Sequence, residues 1–167
     1  MKKNLIFMIG VVLALSLLWQ PTAAAKDTQK GNPFFKAYTT PFQMPPFGQI
    51  KEEHYLPAFQ EGMKREAAEI DAIARSKKAP TFANTLAAMD HSGIFLGDVS
   101  AVFYALLGAD TTPGLQAIAR EVSPLLSAHR DNINLNERLF ARVKAVYDRR
   151  AILKLSPEES HLLENSY

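Results

Sequence analysis

Residues 46–63 read PFGQIKEEHYLPAFQEGM, and this stretch decides the fold because it predicts where the first long helix begins. Pro57 is tolerated only in a first helical turn, where its missing N–H would have had no partner. From there apolar residues recur at intervals of three or four, and they are Leu56, Phe59, Met63, Ala67, Ile70 and Ala74. The pattern predicts an amphipathic helix that starts near residues 53–56 and ends before Pro80.

The rest of the chain is typical of further helices. Val99, Val102, Phe103, Leu106 and Leu107 predict a well-buried helix, and the later helices carry their own start signals. Those signals are a capping residue, in two cases followed by proline, and they occur at Thr81, Thr112-Pro113, Asn136 and Ser156-Pro157. After Asn136 one buried face is predicted from Leu139, Phe140, Val143, Val146 and Tyr147. No segment alternates as a strand does, so the predicted fold class is all-α.

The N-terminus has the order of a secretory signal. Lys2 and Lys3 precede an apolar run over residues 5–19, and Pro21 and three alanines at 23–25 follow it. We expect cleavage after residue 25, which leaves no membrane segment. The chain has no cysteine, so it forms no disulfide and carries no lipidated cysteine. These features predict an exported protein, most simply a periplasmic one.

Residues 26–46 contain Gly31 and four prolines, which favour an extended arm over helix or central strand. The arm is too aromatic for a freely solvated linker, so we expect it to pack on the helical body, which is predicted for residues 47–167. A capping box at Ser156-Pro157-Glu158-Glu159 opens a final helix that has no glycine stop before Tyr167. This pattern predicts that the helical segment is incomplete at its C-terminus.

Nucleic-acid binding is disfavoured by charge. Loss of Lys2 and Lys3 with the signal leaves 17 basic residues against 17 acidic ones. A basic group on one helix is interpreted as a solvated face, because phosphate-binding surfaces need a clustered excess of cations. That group consists of Arg138, Arg142, Lys144, Arg149 and Arg150.

The sequence predicts no catalytic, cofactor-binding or metal residue. None of the four histidines, His54, His91, His129 and His161, begins a His-Glu-x-x-His zinc motif. Glu158 and His161 share a helix face as in di-iron bundles, but a second copy of that pair is missing. His54 lies at a helix entrance without a nucleophile nearby, and no serine lies in a nucleophile elbow.

An ordered series of short motifs resembles the N-terminal part of bacterial peptidyl-dipeptidases, in the thimet oligopeptidase family of zinc peptidases. The motifs are NPF at 32–34, PPF at 45–47, HYLPAF at 54–59, EGM at 61–63, AEIDAIA at 68–74, PTFANT at 80–85 and LFARV at 139–143. These are packing and capping patterns, and they cover essentially the whole chain after residue 25. They carry no catalytic residue.

The resemblance implies an all-helical, two-lobed peptidase that releases C-terminal dipeptides from short peptides. It also implies zinc on a His-Glu-x-x-His helix plus a further Glu, in a catalytic region missing from this chain. Since no family ligand or base maps onto these residues, we expect this segment alone to be inactive and to hold no cofactor. The alternative hypothesis is a stand-alone periplasmic helical interaction module.

Overall fold

A computed structural model describes residues 31–167, which form helices and turns without a β-strand. The five helices are α1 (Glu52–Ala74), α2 (Ile94–Ala109), α3 (Pro113–Asn134), α4 (Glu137–Tyr147) and α5 (Pro157–Ser166). Two 3₁₀ turns, Pro33–Phe35 and Pro41–Gln43, precede α1, and a π-helical segment, Ala83–Ala87, continues into Ala88–Asp90 before α2. The predicted all-α fold is confirmed for this part of the chain. The predicted signal peptide lies outside the described residues.

The predicted capping residues start their helices. Thr112 Oγ1 accepts a hydrogen bond from the Leu115 N–H at 3.0 Å, and Asn136 and Ser156 do the same for α4 and α5. Helix α1 begins at Glu52, so Pro57 is its sixth residue and lies beyond the first turn, contrary to the prediction. At its start the His54 ring accepts from the Lys51 N–H through Nδ1 at 3.0 Å. These side chains satisfy N–H groups that the helix itself leaves unpaired.

The larger core lies where α1 meets α2 and α3. At its centre Phe103 packs edge-on against Phe59, with ring centroids 5.3 Å apart, and against Tyr55 at 5.0 Å. Edge-to-face packing of this kind is favoured by the ring quadrupoles. Its other buried residues include Phe34, Ala58, Leu96, Val99, Val102, Leu115 and Val122. This core fixes α2 and α3 on the surface of α1.

The proline-rich arm is anchored to α1 and α2. Asn32 is fully buried, its Nδ2 donates to the His54 carbonyl at 2.8 Å, and its Oδ1 accepts from the Phe34 N–H at 3.1 Å. Phe35 stacks on Phe95 with centroids 5.7 Å apart, and the Arg65 guanidinium lies 4.4 Å from the Phe95 centroid. The NPF motif therefore marks an anchoring point.

The smaller core joins the π-helical segment to α4 and α5 through Leu86, Val143, Val146 and Leu163. Phe140 was predicted to be buried on this face, but it is 46% exposed and stacks instead on Tyr167. The prediction is wrong because Leu139, Val143 and Val146 define the buried side, and Phe140 lies beside it. On α1 the predicted apolar stripe is also wrong at one position, since Ala67 is exposed and Glu66 is half-buried.

One described segment, Ala83–Ala109, is long and apolar enough to cross a bilayer by length and composition, with a mean hydropathy of 1.5. It is not one continuous helix, because a turn over residues 91–93 interrupts it and Gly93 has φ +71°. Buried core helices pass the same test of length and composition. Within α2, Val99 and Phe103 are fully buried in the larger core, whereas only 22% of the apolar window as a whole is buried.

Candidate functional site

A cleft lies between α2 and α3. Both helices pack on α1, whose Glu66 lines one end of the cleft. The cavity has a volume of about 630 Å³. We call it the α2–α3 cleft. Its size falls within the range of about 300–1,000 Å³ that is usual for small-ligand sites.

Two α1 carboxylates hold the starts of the helices that border the cleft. Glu69 Oε2 accepts from the Gly93 N–H at 2.9 Å, immediately before α2. Glu52 accepts from the Thr112 hydroxyl at the start of α3, and its carboxylate lies against Gly114. A negative charge at a helix N-terminus is stabilised by the helix dipole. Both helices are thus positioned by charges on α1 as well as by the core.

Glu66, Gly93 and His129 come together at the end of the cleft next to the start of α2. His129 Nε2 lies 2.8 Å from Glu66 Oε2, and the side chains are 12% and 20% exposed, respectively. A Cβ atom on Gly93 would approach the Glu66 carboxylate to 2.5 Å, so that carboxylate would have to shift. The left-handed φ of Gly93 also disfavours other residues at this position. The Glu66–His129 hydrogen bond closes one end of the cleft.

Serine hydroxyls and apolar side chains line the walls. Ser100 Oγ donates to the Leu96 carbonyl at 2.7 Å, and Ser123 Oγ donates to the Ala119 carbonyl at 2.6 Å. Because these hydroxyl hydrogens are engaged, the oxygens face a ligand as acceptors. Leu96, Leu126 and Ile133 supply apolar surface between them. Arg130 and Asn134 also line the cleft, so its surface combines hydrogen-bond donors and acceptors with apolar side chains.

The cleft lacks the arrangement needed for acyl transfer. A general base must face its nucleophile within hydrogen-bond reach, and within residues 31–167 no serine hydroxyl is hydrogen-bonded to His129, whose Nε2 is 2.8 Å from Glu66 Oε2. Ser100 and Ser123 donate to backbone carbonyls and not to a histidine. No local sequence pattern predicts this site, because Glu66 and His129 lie 63 residues apart.

The other three histidines, His54, His91 and His161, do not line the α2–α3 cleft. His54 serves the start of α1, His91 is an exposed turn residue, and His161 Nε2 lies 3.0 Å from Asn165 Nδ2. Glu158 was predicted to share a helix face with His161, but it accepts a hydrogen bond from the Ser156 hydroxyl instead. The backbone amide of Glu158 and, to a smaller extent, the Ser156 hydroxyl lower the pKa of the Glu158 carboxyl. Among residues 31–167, no three His, Asp or Glu side chains converge on a common point.

The burial of Arg142 contradicts the prediction that the basic residues of α4 form a solvated face. Arg142 is 6% exposed, and its guanidinium donates to the carbonyls of Ser76 and Lys78, both at 3.0 Å. It also donates to Asn84 Oδ1 at 2.9 Å and Thr85 Oγ1 at 3.4 Å. The prediction failed because these acceptors lie 57 to 66 residues earlier in the chain. Arg142 clamps the segment after α1 onto α4.

A second cavity of about 510 Å³ lies between the arm and α2 and is lined in part by Tyr38, Phe42 and Asp98. Burial and, to a smaller extent, the Asp98 carboxylate raise the pKa of Tyr38. Burial, followed by Tyr38, raises the pKa of Tyr55, whose hydroxyl is buried without a partner among residues 31–167. Phe42 is 97% exposed, so the turn that carries it leaves this side of the cavity open to solvent.

The chain is similar to two bacterial dipeptidyl carboxypeptidases. It is 44% identical over 133 residues to the Escherichia coli (strain K12) protein and 41% identical over 133 residues to the Salmonella typhimurium (strain LT2) protein. Each match covers 80% of this chain and 20% of the relative, so the chain spans about a fifth of the length of the curated relatives it matches. No protein-family model matches the chain. The predicted resemblance to dipeptidyl carboxypeptidases is confirmed at this level.

Proposed function

We propose that this chain is the N-terminal helical portion of an exported zinc metallopeptidase of the thimet oligopeptidase family, which releases C-terminal dipeptides from short peptides. The similarity to two dipeptidyl carboxypeptidases, 44% and 41% identical over 133 residues, carries the proposal. The matched share, 80% of this chain, leaves little room for an unrelated domain. Export is inferred from the signal pattern in residues 1–25.

The residues at hand do not fit a catalytic zinc. Such a site needs three protein ligands with metal–ligand distances of about 2.0–2.2 Å. Glu66 and His129 supply only two possible metal ligands, and they are already hydrogen-bonded to each other. Within residues 31–167 no third His, Asp or Glu joins them. The role proposed for this portion is to form the wall of a peptide-binding channel, while the chemistry belongs to a separate catalytic region.

Reading the DNA downstream of the Tyr167 codon tests the proposal. We expect a reading frame, in phase or shifted, that encodes a His-Glu-x-x-His motif. A downstream sequence without that motif would contradict the proposal. For the purified chain itself we expect no release of dipeptides from short peptides and no rise in melting temperature with micromolar zinc, since binding to the folded state alone would raise it.

A second candidate function is a stand-alone periplasmic interaction module. It is favoured by the compactness of residues 32–167, which cluster as a single unit with two buried cores. This candidate predicts a cooperative thermal transition that coincides by far-UV and near-UV circular dichroism. Dye binding and a missing near-UV signal would instead indicate a molten state that needs further protein to pack against.

A further inference from the structure

The cavity between the arm and α2 contains a carboxylate that no basic residue neutralises. Asp98 is the only charged residue of α2, and it is exposed in the lining of this cavity of about 510 Å³. None of the ion pairs among residues 31–167 includes Asp98, and no Lys, Arg or His of that part of the chain lines the cavity. An isolated carboxylate on a concave surface attracts cations.

Aromatic side chains of the arm belong to the same lining. Tyr38 and Phe42 line the cavity together with Asp98. Asp98 is close enough to Tyr38 to raise the pKa of its phenol, after the larger effect of burial. Aromatic ring faces attract cations through their quadrupoles. The rest of the lining is one amide and four apolar side chains, which are Gln43, Ala37, Pro45, Ala101 and Val102.

The turn that carries Phe42 holds the ring in solvent at a conformational cost. Phe42 and Gln43 have φ values of 56° and 55°, which residues other than glycine rarely adopt. The Thr40 hydroxyl closes the turn by donating to the Met44 carbonyl. Because Phe42 is 97% exposed, burial of its ring does not offset the strain. Strained backbone of this kind is concentrated at functional sites, among them ligand clamps.

An organic cation suits this lining better than a metal ion does. Calcium takes about six to eight oxygen ligands, several of them from carboxylates. Asp98 is the single carboxylate of this lining, and among residues 31–167 no three His, Asp or Glu side chains converge. A primary ammonium is compact and strongly hydrated, so it loses more hydration energy in apolar surroundings than a methylated one. The lining therefore favours a quaternary ammonium ion.

We propose that the cavity between the arm and α2 binds a small quaternary ammonium ion, whose charged nitrogen lies between the Asp98 carboxylate and the rings of Tyr38 and Phe42. The volume of about 510 Å³ is sufficient for a molecule of the size of choline. This site goes beyond the proposed peptidase function and does not depend on it, because every residue involved lies in the arm or in α2.

Amide chemical shifts of the isotope-labelled protein, followed during titration with choline at constant ionic strength, test the proposal. The comparison probe is 3,3-dimethylbutan-1-ol, which has the shape of choline without its charge. We expect choline to shift the Asp98 and Ala101 signals with a dissociation constant of about 1 mM, and the alcohol to bind at least about fivefold more weakly. Equal binding of both probes, no saturation by about 50 mM choline or shifts confined to other surfaces would each overturn the proposal.

The charge of Asp98 is tested with Asp98→Asn, for which Asp110→Asn is the matched control. Both aspartates are exposed, and Asp110 follows the last residue of α2, but only Asp98 lines the cavity. Asp98→Asn should weaken choline binding at least about fivefold, and Asp110→Asn should change it less than about twofold. Equal effects of the two variants would contradict a site at Asp98.

The ring of Phe42 is tested with Phe42→Gly, which does not endanger the fold because glycine adopts the left-handed φ without strain. We expect a melting temperature close to that of the parent and choline binding at least about threefold weaker. Met44→Ala is the control, since Met44 is 52% exposed on the same turn and does not line the cavity. Parent affinity in Phe42→Gly, or an equal loss in Met44→Ala, would refute the contact with the ring.

Discussion

Glu66 on α1 and His129 on α3 share a hydrogen bond of 2.8 Å between Oε2 and Nε2 at the end of the α2–α3 cleft. Because the side chains are 20% and 12% exposed, solvent screens this contact less than it screens an ordinary surface pair. The Glu66 carboxylate also lies against Gly93, just before α2. One carboxylate thus lies where all three helices that border the cleft meet.

Replacing Glu66 with glutamine should therefore lower the free energy of unfolding by about 1–2 kcal/mol, because a hydrogen bond to a charged group is lost from a half-buried position. Urea unfolding measures the change. Glu53→Gln is the matched control, since Glu53 lies 3.9 Å from His54 but its side chain is 67% exposed. The control should cost less than about 0.5 kcal/mol, and equal costs would contradict the role given to Glu66.

Gly93→Ala should destabilise the protein by about 1–3 kcal/mol, because alanine disfavours its φ of +71° and its Cβ would lie 2.5 Å from the Glu66 carboxylate. Gly97→Ala, on the same stretch, meets nothing within 4 Å and should be neutral or stabilising by up to about 1 kcal/mol. Thermal melting compares the two variants. A similar melting temperature for both would show that Gly93 is not constrained.

How far the sequence predicts this structure depends on the distance between interacting residues. The all-α fold and the caps at Thr112, Asn136 and Ser156 follow from short-range patterns, since a cap and its N–H partner lie three residues apart. Glu66 is not part of the predicted apolar stripe, and its half-buried position depends on His129, which lies 63 residues further along the chain. No local pattern could have revealed the cleft between α2 and α3.

Arg142 shows the same limit and leads to a third prediction. Arg142→Lys should cost about 2–3 kcal/mol, because a single ammonium cannot reach the acceptors that the planar guanidinium fork spans, and it leaves buried carbonyls unpaired. Arg138→Lys, at an exposed position of α4, should change stability by less than about 0.5 kcal/mol. Urea unfolding of the two lysine variants distinguishes a buried clamp from a solvated basic face.

Glu61 gives the fourth prediction, which concerns pH. Arg65 Nε donates to Glu61 Oε1 at 2.9 Å, and this bond is the main cause that lowers the pKa of Glu61, while burial partly opposes it. A carboxylate with a lowered folded-state pKa stabilises the fold above its unfolded value of about 4.3. That contribution is lost as the pH falls through the lower folded-state value.

Glu61→Gln should accordingly reduce stability at pH 7 by less than about 1 kcal/mol and should approach the parent near pH 3. Melting temperatures between pH 3 and pH 7 measure the convergence. Lys64→Gln is the control, since Lys64 Nζ lies 3.6 Å from Glu61 and Arg65 makes the closer contact. The control should retain most of the acid-dependent loss. A Glu61→Gln curve that stays parallel to the parent across this range would refute the assignment to Glu61.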